Sequence, residues 1–184
     1  TILSNINKMI DFNEVNRNKI ISEALFLRAF YYFDLVTHYG GVPLQLEDVT
    51  SVDGVFLPRS TKEEVYEQII NDLLTSIVDL PVANEFPQSG RATKGAAKML
   101  LAYTYMSMPA KNYDKAAQEL SDIINMNYSL LNNFSDCFNP SNKNNQESIF
   151  EIQFKDGNEG LHSNFIWYFI PKTVSTELIT GLNV

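Results

Sequence analysis

The chain has 184 residues, 45% of them hydrophobic and 20% charged, with a formal net charge of -8. That profile suits a globular protein with one sizeable core, and it argues against a phosphate backbone or an anionic lipid surface as partner. One cysteine, Cys137, excludes an internal disulfide; with Asp136 and Phe138 beside it and no cation, it reads as a plain thiol.

Taken in order, residues 1–12 carry Ile2, Ile6, Met9 and Ile10 as a short helical stripe. Asn13 can cap a long helix over about 14–39, the centre of the expected fold. This helix is apolar nearly all round. Leu27, Tyr31 and Leu35 form one stripe, Leu25, Ala29, Tyr32 and Val36 the next, and Phe26, Phe30 and Phe33 fill much of the remainder. Burial by neighbours on several sides is the expectation. Arg28 and Asp34 interrupt the apolar run over 24–36, which is too short for a membrane span. Gly40 and Gly41 end the helix, and Pro43 prevents its resumption.

Residues 42–59 read as a wet loop, with Glu47, Asp48 and Asp53. Two overlapping capping boxes, Ser60 with Glu63 and Thr61 with Glu64, then open an amphipathic helix. Val65, Ile69, Leu73, Ile77 and Leu80 form its apolar face, while Glu63, Glu64, Glu67 and Asp72 lie elsewhere on the wheel; Pro81 stops it. Thr93 caps the next helix, whose Ala96, Ala97, Leu100, Leu101 and Tyr105 permit close packing before Pro109. Residues 113–126 give it a partner with Ala116, Ala117, Leu120, Ile123 and Ile124 inward. The small-and-aromatic spacing of this pair approximates a tetratricopeptide unit, and the central helix carries a related pattern.

After Asn127 the texture turns to Asn, Ser and Asp, and residues 127–147 read as loop. Residues 148–154 are the best strand candidate, Asp156-Gly-Asn-Glu-Gly160 a turn, and 165–170 a second apolar run. The expected fold is therefore mainly α: tetratricopeptide-like antiparallel helix pairs around a buried central helix, with a short strand-containing irregular C-terminal part. The division falls at residues 1–126 and 127–184. Thr1 is not an initiator and residues 182–184 stop abruptly, so a piece of a longer protein is expected.

Chemistry-bearing residues are few. His38 follows Asp34 by one helical turn at a helix C-terminus, and His162 stands in a loop beside Glu159; both read as structural or solvated. Residues 156–160 resemble the start of a calcium loop, but the glycine comes one place early and the closing Glu is missing. Gly90-Arg-Ala-Thr-Lys-Gly95 lacks phosphate-loop spacing and reads as a helix cap, with Arg91 as an anchor for a carboxylate. No nucleophile motif or defensible carboxylate pair is present, so no enzyme activity, metal or cofactor is expected. The aromatic residues are the exception. Phe165, Trp167, Tyr168 and Phe169, with Asn164 beside them, sit in an expected loop or edge; such rings either pack into the core or, if exposed, serve as platforms for sugars.

Five stretches then carry a resemblance. Glu23-Ala-Leu-Phe-Leu-Arg-Ala-Phe-Tyr-Tyr-Phe-Asp-Leu-Val36 with Tyr39-Gly-Gly-Val-Pro-Leu44 resembles the signature helix of the SusD/RagB-like family. In the same order follow Arg59-Ser-Thr-Lys-Glu-Glu-Val-Tyr66 with Ile69-Ile-Asn-Asp-Leu73, Gly90-Arg-Ala-Thr-Lys-Gly-Ala-Ala97, Tyr113-Asp-Lys-Ala-Ala117, and Glu147-Ser-Ile-Phe-Glu-Ile-Gln-Phe154. The resemblance implies an outer-membrane lipoprotein of Bacteroidetes-type bacteria, facing outward and lidding a SusC-like, TonB-dependent transporter barrel. It implies binding of an oligosaccharide or polysaccharide, or another nutrient, without chemistry. The lipid-carrying cysteine of the family lies outside this chain, and Cys137 is not its equivalent. Under this resemblance, residues 127–184 begin the ligand-binding part. A tetratricopeptide-like protein-interaction module is the alternative.

Overall fold

The computed structural model describes residues 2–84 and 88–154. Among the described residues five α-helices run in order: α1 (Ile2–Asn5), α2 (Glu14–Tyr39), α3 (Lys62–Asp79), α4 (Lys94–Ser107) and α5 (Tyr113–Ile124). One compact unit spans Thr1–Glu151 and a second Ile152–Val184. Residues 156–160, His162, Asn164 and residues 165–170, for which the sequence raises expectations, lie outside the described residues.

Local chemistry sets the helix ends. Asn13 accepts from the Asn16 N–H and caps α2. At α3 the later of the two capping boxes forms: Thr61 Oγ1 accepts from the Glu64 N–H, and Glu64 accepts from the Thr61 N–H. Thr93 accepts from the Ala96 N–H and caps α4, and Asn112 accepts from the Lys115 N–H and caps α5. Gly40 closes α2 with φ +73°, and Arg59 donates to the carbonyls of Tyr39 and Gly41, serving the orphan acceptors at that end. A Cβ on Gly41 would lie 2.1 Å from the Ser60 carbonyl oxygen, so only glycine allows this return of the chain.

That return makes α2 and α3 antiparallel, and α4 and α5 form a second antiparallel pair. The contact of α3 with α4 joins the two. Phe26, Ala29, Val36, Val65, Tyr66, Ile69, Leu73, Ala97 and Leu101 form the shared core. Ala29 and Ala97 are fully buried, and their lack of bulk lets the helices approach.

Three expectations change. α2 touches α1, α3 and α4, yet only one face is covered among the described residues. Leu27, Tyr31 and Leu35 are 43%, 63% and 37% exposed. The reason is geometric: each packed neighbour covers one stripe, and no described element reaches this one. Residues 148–154 form no strand, since none of the described residues pairs with them as a neighbouring strand. Ser148 instead accepts through its carbonyl from Gln88 Nε2 at 2.6 Å, and Phe150 turns onto the helices. The short terminal helix is also briefer than its stripe suggests. It gives way to a 3-10 turn over Ile6–Lys8, with Ile6 buried and Ile2, Met9 and Ile10 exposed.

Candidate functional site

Three polar links fix the frame around any site. Arg28 makes a two-point pair with Asp72, Nε to Oδ2 and Nη2 to Oδ1, both 2.7 Å. Gln68 Nε2 adds a third hydrogen bond to Asp72 Oδ1 at 2.7 Å. The hydrogen bond to Asp72 is the first cause that raises the Arg28 pKa, against a lowering by burial. Arg91 pairs with Glu23, as its anchor reading anticipates, and ties the loop before α4 to α2. Lys98 bridges Glu119 and Asp122 at 2.6 and 2.7 Å and holds α4 to α5. Burial alone would lower the Lys98 pKa; the hydrogen bonds and charges of Asp122 and Glu119 outweigh it and leave it raised.

An apolar opening lies where α2, α4 and the segment after Gln146 meet. A cavity of about 410 Å³ is lined by Phe26, Phe30, Met99, Tyr103, Ile149 and Phe150. The Phe150 ring meets Phe26 edge-on at 5.1 Å and Phe30 at 5.7 Å, and Phe30 meets the exposed Tyr31 at 5.8 Å. Glu147 stands at the rim, but its Oε2 accepts from the Leu131 N–H. The lining therefore favours apolar surface over an ion. The wheel of α2 marked Phe26 and Phe30 as inward; reading 148–154 as a strand concealed that Phe150 joins them.

A second aromatic feature was not anticipated. Phe134 and Phe138, at the two ends of a 3-10 helix (Phe134–Phe138), meet edge-on with centroids 5.1 Å apart and are 80% and 71% exposed. Asn133, Asp136 and Asn139 flank them.

Elsewhere the structure places the remaining candidates. His38 is exposed, and its Nδ1 donates to the Asp34 carbonyl at 2.8 Å with the Asp34 carboxylate 3.4 Å away. Cys137 is half-buried; burial first, then the neighbouring Glu147, pushes its thiol up and keeps it protonated. Tyr128 packs on the N-terminus of α4, where Gly95 leaves room for its ring and Thr93 meets its hydroxyl at 3.2 Å. Among the described residues, no three His, Cys, Asp or Glu side chains converge on one point. Among them, too, no helix is long and apolar enough to cross a membrane. Phe165, Trp167, Tyr168 and Asn164 lie outside the described residues.

Residues 1–106 match a family model of SusD-like proteins described as starch-binding and associating with the outer membrane. A SusD-like protein of Bacteroides ovatus is 32% identical over 181 residues, covering 93% of this chain and 32% of that protein. The fold matches a crystal structure with a xylogluco-oligosaccharide at TM-score 0.77 and 31% identity, over 95% of this chain and 37% of the other. A laminarin-binding SusD-like protein matches at TM-score 0.75 and 29% identity, over 83% and 34%. The chain spans about a third of the length of the first curated relatives it matches.

Proposed function

The chain belongs to the SusD-like family, and from that membership we propose that it is part of a non-catalytic glycan-binding protein of an outer-membrane uptake system. In this reading the full-length protein sits on the external face, lipid-anchored, and passes an oligosaccharide or polysaccharide to a TonB-dependent, SusC-like transporter barrel. One observation carries it: the helical fold matches that of relatives whose own names state glycan ligands, at about 30% identity. The helix pairs act as scaffold. Residues 127–184 start the ligand-binding part, and Phe165, Trp167 and Tyr168, with Asn164, offer the sugar a platform.

A glycan array tests this with the wild-type chain beside Trp167→Ala and Tyr168→Ala. Saturable binding to one polysaccharide, weakened by either substitution, is the expected result. Absence of binding, or turnover of the glycan, overturns it. The apolar cavity at Phe30, Tyr103 and Phe150 favours a second reading, in which the helix pairs grip a polypeptide. Capture of peptides, with no response to glycans, would select that one.

A further inference from the structure

The turn Phe134–Phe138 holds a feature that the scaffold role leaves unused. Two phenyl rings stand in solvent, 80% and 71% exposed, which forfeits the gain that burial of such large side chains would bring. They are not loosely hung. Asp136 N–H donates to the Asn133 carbonyl at 3.1 Å, and Asn142 Nδ2 donates to the Asp136 carbonyl at 3.2 Å. Asn139 Oδ1 accepts from the Ser141 N–H at 3.0 Å. The backbone beneath the rings is thus pinned on both sides, and the two rings hold each other at 5.1 Å.

Around them stand short polar groups with capacity to spare. Asn133 Nδ2 donates to Asp136 Oδ2 at 3.2 Å. The side-chain atoms Asn133 Oδ1, Asp136 Oδ1 and Asn139 Nδ2 make no hydrogen bond among the described residues. An exposed phenyl face, braced edge-on by a second ring and bordered by acceptors and a donor, matches one class of ligand. A pyranose ring presents axial C–H groups on its face and hydroxyls at its edge. The C–H groups suit the electron-rich ring, and the hydroxyls suit amides and a carboxylate. A peptide side chain would gain more from a recess such as the one at Phe150 than from rings this open.

We infer that Phe134 and Phe138 form a stacking platform for a sugar ring of a glycan, with Asn133, Asp136 and Asn139 as its hydroxyl partners. The inference rests on the glycan-binding reading above and adds a site to it. Affinity gel electrophoresis through laminarin, xyloglucan and soluble starch tests it. The wild-type chain, Phe134→Ala, Phe138→Ala and Phe134→Trp are run together, with circular dichroism to check the helices. Retardation of the wild type in at least one glycan is expected, with the dissociation constant rising about three- to ten-fold for each alanine variant. Phe134→Trp, which keeps an aromatic face, should bind at least as well as wild type. A retarded wild type with equally retarded alanine variants overturns the platform and leaves the glycan reading standing. Free migration of the wild type in all three overturns both.

Discussion

Arg28 and Asp72 meet across the α2–α3 interface as a two-point ion pair, both contacts 2.7 Å, with Asp72 only 3% exposed. A carboxylate taken that far from water is tolerable because three hydrogen bonds serve it, two from Arg28 and one from Gln68. Removing the guanidinium strands the charge. Arg28→Met is therefore expected to destabilise by about 3 kcal/mol, read by urea unfolding. The double variant Arg28→Met/Asp72→Leu should recover most of that loss, because no charge remains unpaired. Equal destabilisation in the double variant would contradict this account.

The capping box at α3 gives a pH-dependent prediction. Glu64 titrates below its ordinary value of 4.5, held down first by the Thr61 N–H and then by the Thr61 hydroxyl. A depressed carboxyl favours the folded state above its unfolded pKa. The contribution fades as pH falls from about 4.5 through the lower folded value. Between pH 7 and 5.5 the wild type and Glu64→Gln should differ in Tm by a constant gap, and that gap should close as pH drops past 4.5 toward 3. Thr61→Ala removes the reciprocal bond and should cost about 1 kcal/mol. A gap that persists at pH 3 would mean Glu64 acts through its shape.

Much of this frame is legible in the sequence, since caps and helical periods are local. Asn13, Thr61 and Thr93 announce helix starts because their side chains reach only three residues on. The wheel of α3 puts Asp72 off the apolar face and cannot show that Arg28, 44 residues earlier, meets it there. A lone Arg inside an apolar helix was the available signal. Phe150 carried β-like neighbours, and its true partners lie more than 100 residues back. The Phe134 and Phe138 pair has helical i, i+4 spacing, but it sits in a short Asn-rich stretch with no further apolar period around it, so a loop reading hid it.

The contrast between neighbouring residues on α2 tests which face is core. Phe26 is 1% exposed and packs on Phe150; Tyr31, five residues on, is largely exposed. Phe26→Ala should cost about 3–5 kcal/mol, through lost transfer and the cavity left behind. Tyr31→Ala should stay within about 0.5 kcal/mol in this chain. Equal losses at both would mean the Tyr31 face is also covered.

The two glycines that end α2 separate two reasons for glycine. Gly40 has φ +73° with nothing within 4 Å of a would-be Cβ, so its need is conformational alone. Gly40→Ala should cost about 1–2 kcal/mol, the penalty for an L side chain at positive φ. A Cβ added to Gly41 would lie 2.1 Å from the Ser60 carbonyl oxygen, a backbone atom that no side-chain rotation can move. Ser60 also donates to the Val42 carbonyl at 3.2 Å, which fixes that strand of loop in place. A methyl group at 41 must therefore push the start of α3 away from the end of α2, loosening Arg59 from the carbonyls of Tyr39 and Gly41 as well. Gly41→Ala should cost more than Gly40→Ala, about 3 kcal/mol, and should lower the denaturation midpoint of the whole helical unit. The reverse order would show that the 42–60 loop yields easily and that backbone conformation at residue 40 is what holds the α2–α3 corner.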